Sequence, residues 1–171
     1  IAERGDTLCL MDKHAAHERL VYEQLKKEAD LLPAQLLLEA PVLHLEARET
    51  AVLLENRATL LRLGFEIEEF GGGSLRLLSI PSVLDQAENP SALLSELADQ
   101  LSKGKEPGLA AMDQLLSMIA CKSSVRARDE ASPQELMHLF LQVIEDETLW
   151  YCPHGRPVLT MLTKKELEKQ F

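Results

Sequence analysis

At 171 residues and 46% apolar content, the chain can bury a core of its own and fits one domain, or two small subdomains sharing a sheet. A net charge of −10 and an aromatic content of only 4% argue against autonomous DNA binding, because an acidic surface repels phosphates and offers bases little to stack on. No apolar run approaches the roughly 20 residues that span a bilayer, and no charged-then-apolar leader is present, so the expectation is a soluble, intracellular protein with no membrane partner. Beginning at Ile1 and ending within a helical pattern at 164–171, it reads as a piece of a longer chain.

In chain order, Thr7 to Met11 reads as a buried strand, and His14 to Ala29 as a helix with an apolar stripe of Leu20, Val21 and Leu25. Leu31-Leu32-Pro33 closes that unit. A strand at Val42 to Leu45, a helix from Glu49 to Leu63 ended by Gly64, a strand at Phe65 to Glu69, a Gly71-Gly72-Gly73 turn and a strand at Leu75 to Ile80 then form a β-α-β-β module. Helical patterns follow at Ser91 to Lys103 and Leu109 to Arg128. Ser132-Pro133-Gln134-Glu135 opens another helix with a capping box and proline at its first position. A last strand, Leu149 to Leu162, is interrupted by Cys-Pro-His-Gly-Arg-Pro.

Three separated clusters carry soft-metal ligands. In Asp12-Lys13-His14-Ala15-Ala16-His17-Glu18, His14 and Glu18 are four residues apart, which on a helix leaves them only about 40° apart in azimuth and able to share one ion. Asp12 suits either an N-cap or a cation ligand at a strand end. Glu23 lies about 140° round the helix from Glu18 and is better placed to support the ligands from behind, or to pair with Arg19, than to ligate directly. Cys152 and His154, flanking a proline in an extended segment, leave the same strand face, with Gly155 permitting a close turn. Cys121 alone would read as core; Cys9, in Leu8-Cys9-Leu10-Met11, reads as core outright. Three cysteines, an odd number without a leader, argue against a disulfide scaffold and leave metal ligation or burial as the expectation. The intervening residues 34–107 carry no such cluster, so they form an insertion and the site is built where 1–33 and 108–171 meet. Rival motifs fail: Gly71 to Ser74 has no following Lys or helix for a phosphate loop, His-x-x-His-Glu is not a zincin order, and no Pro-Cys-x-x-Cys or Gly-x-Ser-x-Gly occurs.

Taken together, these segments resemble the C-terminal domain of the MutL family of DNA mismatch-repair proteins, of the endonuclease type. The family's Asp-Gln-His-Ala-x-x-Glu-x-x-x-x-Glu motif matches Asp12 to Glu23, and its Ala-Cys-x and Cys-Pro-His-Gly-Arg-Pro motifs match Ala120 to Lys122 and Cys152 to Pro157. The resemblance implies an α+β fold with a dimerisation subdomain, 1–33 and 108–171, carrying the site, and an inserted regulatory subdomain, 34–107. It implies an endonuclease motif of Asp12, His14, Glu18 and Glu23, and zinc ligands His14, Glu18, Cys121, Cys152 and His154. It also implies a catalytic manganese ion, with magnesium as the alternative, that nicks one strand of duplex DNA. Lys13 stands where the family usually has Gln. Implied partners are a second copy or a paralogous subunit, duplex DNA, the mismatch-recognition protein MutS and the replication sliding clamp. Gln35, Leu38 and Pro41 resemble the clamp-binding Gln-x-x-Leu/Ile-x-Pro motif with the proline one residue late. ATP enters only through a preceding ATPase half. The place of work is the bacterial cytoplasm on the nucleoid, or a eukaryotic nucleus. The competing expectation is a catalytically silent dimerisation module with a structural zinc.

Overall fold

The computed structural model describes residues 1–28, 30–84, 89–103, 109–124, 132–153 and 155–169. Its elements run β1 (Ala2–Arg4), β2 (Thr7–Met11), α1 (Lys13–Lys27), β3 (Ala34–Leu36), β4 (Val42–His44), α2 (Ala47–Glu55), α3 (Arg57–Arg62), β5 (Glu66–Gly71), β6 (Ser74–Pro81), α4 (Pro90–Lys103), α5 (Leu109–Ser124), α6 (Pro133–Glu145), β7 (Leu159–Thr163) and α7 (Lys164–Glu168). Two antiparallel sheets and separate helices make this an α+β chain. It divides into two compact units, one built from both ends (Ile1–Glu23 with Ala120–Phe171) and one continuous (Gln24–Ile119). Among the described residues no helix is long and apolar enough to cross a membrane.

In the two-ended unit, β2 lies between β1 and β7, and its register runs from Thr7↔Thr163 to Met11↔Leu159. Gly5, at φ 58°, lets β1 fold back onto β2, a hairpin too short to show an alternating pattern in sequence. The core joins Cys9 of β2, Ala16 of α1, Val143 of α6, and Leu149, Cys152, Val158 and Leu159, all buried. Trp150 packs against this cluster and donates its indole N–H to the Val143 carbonyl at 3.0 Å, tying the chain after α6 back onto that helix. The start of α6 is locally encoded. Ser132 Oγ accepts the Glu135 N–H at 3.3 Å, and the Ser132 N–H donates to Glu135 Oε2 at 2.7 Å. These bonds hold the Glu135 carboxyl below the usual carboxylate range.

In the continuous unit β6 is the central strand. It pairs with β5 along one edge, while β3 (Ala34↔Pro81) and β4 (Val42↔Arg76) share the other edge end to end. Phe65, Ile67, Leu75, Leu77 and Ile80 from the sheet region, Leu53 and Leu60 from α2 and α3, and Leu94 and Leu97 from α4 are fully buried. Gly64 ends α3 at φ 86°, where an added Cβ would lie 3.0 Å from Pro81 Cα. Gly64→Ala therefore meets both backbone strain and a backbone clash. It is expected to cost about 1–3 kcal/mol, read as a lower denaturant midpoint with unchanged m-value; an unshifted midpoint would contradict this.

Several sequence expectations need correction. The helix expected over Glu49 to Leu63 is two helices divided at Asn56, whose side-chain amide donates to the Val52 carbonyl at 2.8 Å and competes with the helix ladder. The strand expected from Leu149 to Leu162 is a 3-10 turn at Glu147–Leu149, a Gly155 N–H bond back to the Cys152 carbonyl, and only then β7. Asp146 caps that 3-10 turn by accepting the Thr148 N–H at 2.9 Å, and Pro153 and Pro157 lack the N–H groups a continuous strand requires. The helix expected to reach Arg128 is described as far as Ser124; 125–131 lie outside the described residues.

Candidate metal centre

Asp12 is the single residue between β2 and α1. Its Oδ1 accepts the N–H groups of His14 at 2.9 Å and Ala15 at 3.1 Å, and its carbonyl accepts the Ala16 N–H at 2.9 Å, so it is an N-cap. The Asp12 N–H donates to the Val158 carbonyl at 3.0 Å, one bond beyond the β2–β7 ladder. Its exposed carboxylate therefore stands at the end of the sheet where the Cys-Pro-His-Gly-Arg-Pro segment joins β7.

That segment is a closed turn rather than the extended run expected from sequence. Gly155 N–H donates to the Cys152 carbonyl at 2.9 Å, Cys152 N–H donates to the Arg156 carbonyl at 2.8 Å, and Tyr151 bridges Pro157. Gly155, at φ 77°, supplies the left-handed residue the turn needs. The Arg156 N–H points at Cys152 Sγ, 3.4 Å away, a donor suited to a metal-bound thiolate. His154 lies outside the described residues.

Cys121 sits in the last turn of α5 and is exposed, not core as its mid-helix position suggested. Three residues on, Ser124 Oγ lies 3.4 Å from His17 Nδ1 on α1. Burial, reinforced by neighbouring His14, lowers the His17 pKa from its ordinary value. His14 is exposed and Glu18 half-buried on the same helix. Glu23 Oε1 takes the Arg19 guanidinium at 2.7 Å, as the four-residue spacing predicts, and that guanidinium also lies over the Tyr22 ring, 5.4 Å from its centroid. Lys13 lines an apolar groove shared with α6, alongside Met11 and Phe140.

The described members of the expected ligand set, His14, Glu18, Cys121 and Cys152, belong to the two-ended unit. By donor chemistry, two thiols, imidazoles and a carboxylate fit zinc, and the N–H···S bond at Cys152 fits a thiolate ligand. Among the described residues, however, no three His, Cys, Asp or Glu side chains lie together closely enough to hold an ion. The links that join the clusters are the Asp12–Val158 backbone bond and the His17–Ser124 contact, and sequence spacing signals neither of them. Gln35, Leu38 and Pro41 belong to the continuous unit. Gln35 lies in β3, the Pro41 carbonyl accepts the Leu77 N–H at 3.1 Å, and Leu38 between them is fully exposed.

The sequence model of the family described as MutL C terminal dimerisation domain matches residues 1–131. With an α+β fold and the three clusters in order, this defines the class: the chain belongs to the MutL C-terminal dimerisation domain family. It is 40% identical over 177 residues to the DNA mismatch repair protein MutL of Geobacter sp. (strain M21), covering 100% of this chain and 27% of that protein. It is also 40% identical over 173 residues to the DNA mismatch repair protein MutL of Kosmotoga olearia, and 34% identical over 172 residues to that of Caldanaerobacter subterraneus subsp. tengcongensis. Those alignments cover 100% of this chain and 28% and 29% of the relatives, so the chain spans little more than a quarter of their length.

Proposed function

We propose that the chain is the metal-dependent endonuclease and dimerisation part of a mismatch-repair MutL protein, nicking one strand of duplex DNA. The observation that carries this reading is that all three ligand-bearing segments fall in one unit, with the Asp12 N–H bonded to the Val158 carbonyl at the mouth of the Cys152 turn. His14, Glu18, Cys121, Cys152 and His154 would hold zinc, and Asp12 with Glu18 would hold manganese or magnesium. A divalent ion so held supplies an activated water and stabilises developing phosphoryl charge. The chain's own part is to orient. Asp12 keeps its carboxylate at the helix N-terminus, where negative charge is favoured. Glu23 serves by holding Arg19 rather than by ligating.

A second copy is the partner for α6, where Leu136, Met137 and Leu141 are exposed beside a groove of about 400 Å³ lined by Ile1, Met11 and Phe140. Apolar surface left on a helix that already buries Val143 on its inner side suits an isologous interface. DNA would reach an acidic domain through the ATPase half, MutS and the sliding clamp, in the cytoplasm on the nucleoid. Leu38 is the clamp contact in this reading. Leu38→Ala is expected to weaken binding to a sliding clamp about 10-fold or more while leaving the melting temperature unchanged, since the side chain packs on nothing in the fold. Equal clamp affinity would remove that assignment.

The second reading, a silent dimerisation module with structural zinc, draws on Lys13 in place of Gln. Metal analysis of the purified chain, paired with plasmid nicking by the full-length protein, separates the two. Tightly held zinc with manganese-dependent nicking is the expected result. Zinc without nicking would establish the silent module, and no zinc would defeat both.

A further inference from the structure

Side-chain hydrogen bonds at the end of α5 converge on one carbonyl. Ser123 Oγ and Ser124 Oγ each donate to the Ala120 carbonyl at 2.8 Å. A hydroxyl has a single proton, so Ser124 Oγ, having donated it, can only accept from His17. With the Ser124 proton on the Ala120 carbonyl, the 3.4 Å contact takes His17 Nδ1 as its donor. His17 lies within one helical turn of His14 and Glu18, and Ser124 within one turn of Cys121. Ser124 is itself buried, so this contact joins two helices at a packed point rather than at a mobile surface.

We propose that the His17–Ser124 contact is the spacer that sets the distance from His14 and Glu18 to Cys121, with His17 acting as a positioning residue and not as a ligand. This rests on the zinc reading above. A hydrogen bond of 3.4 Å adds little to folding stability. Zinc, in contrast, tolerates only a few tenths of an ångström in its ligand distances, and residues that orient ligands typically govern affinity by 10–100-fold.

The test uses cobalt(II) as a spectroscopic probe of the whole chain and zinc affinity measured by competition against it. Ser124→Ala, a mild change near a helix end, is expected to weaken zinc binding about 10-fold, and Ser124→Thr, which keeps the hydroxyl, to restore it. His17→Phe should weaken zinc binding similarly and leave the cobalt band positions unchanged, because the ligand set is intact. The double variant should be no weaker than either single one. Wild-type affinity in Ser124→Ala would overturn the spacer, and shifted cobalt bands in His17→Phe would make His17 a ligand instead. A wild-type spectrum without thiolate-to-cobalt bands would overturn the zinc reading and the spacer together, an outcome visible before any variant is made.

Discussion

Met137→Glu with Leu141→Glu, made together on α6, is expected to convert a two-fold dimer into a species sedimenting at the chain mass of 19.1 kDa. Both side chains are about half exposed in the single chain, at 54% and 46%, so the carboxylates stay solvated there and the fold should persist. At an isologous interface each substitution appears twice, and the added charges lose water and face their own symmetry mates. Losses of this kind exceed 2 kcal/mol at the centre of an interface, so dimerisation should weaken about 100-fold or more. Light scattering at micromolar concentration decides it. A double variant that still runs at twice the chain mass would move the interface away from α6.

Asp12→Asn is expected to lower manganese-dependent nicking by the full-length protein at least about 100-fold, roughly 3 kcal/mol in the transition state, with almost no change in melting temperature. The reason lies in the cap. An asparagine oxygen can still accept the His14 and Ala15 N–H groups that Oδ1 now accepts, whereas a neutral amide binds a hard cation far more weakly. Asp12→Ala should add about 1 kcal/mol of lost cap stability to the same catalytic loss. Comparing the two variants separates capping from ligation, and full nicking by Asp12→Asn would leave Asp12 as a cap alone. The isolated chain is expected to nick weakly in every form, because at net −10 it approaches DNA against its own charge.

What could be read from sequence was whatever four or five neighbouring residues decide among themselves. Ser132 to Glu135 carries its own capping box, Arg19 and Glu23 meet at helical spacing, and Asp12 caps the helix that follows it. Non-local pairing was much less legible. Nothing in the apolar pattern says that β3 and β4 share one edge of β6, or that Ala2 to Arg4 forms a strand. Cys121 taken alone is ambiguous in sequence, because a helical thiol carries no local mark of which face it occupies; it is exposed. The Cys152 turn is not legible in sequence because Pro and Gly permit both an extended run and a turn, and the choice depends on Arg156 and Val158 finding partners back along the chain. Likewise, Arg156 N–H on Cys152 Sγ and His17 on Ser124 follow from the turn and the helix packing, not from spacing.

The pairing of β2 with β7 also fixes an order of events during synthesis. Met11 must find Leu159 and Thr7 must find Thr163, so β2 emerges early and then waits for most of the chain. At ribosomal rates of roughly 5–20 residues per second that delay is on the order of ten seconds. The continuous unit, by contrast, has its described strands within Ala34–Pro81 and can pair them while β7 is still unmade. Throughout that interval β1 covers one edge of β2, and the edge destined for β7 stays open to solvent, chaperone or a neighbouring nascent chain.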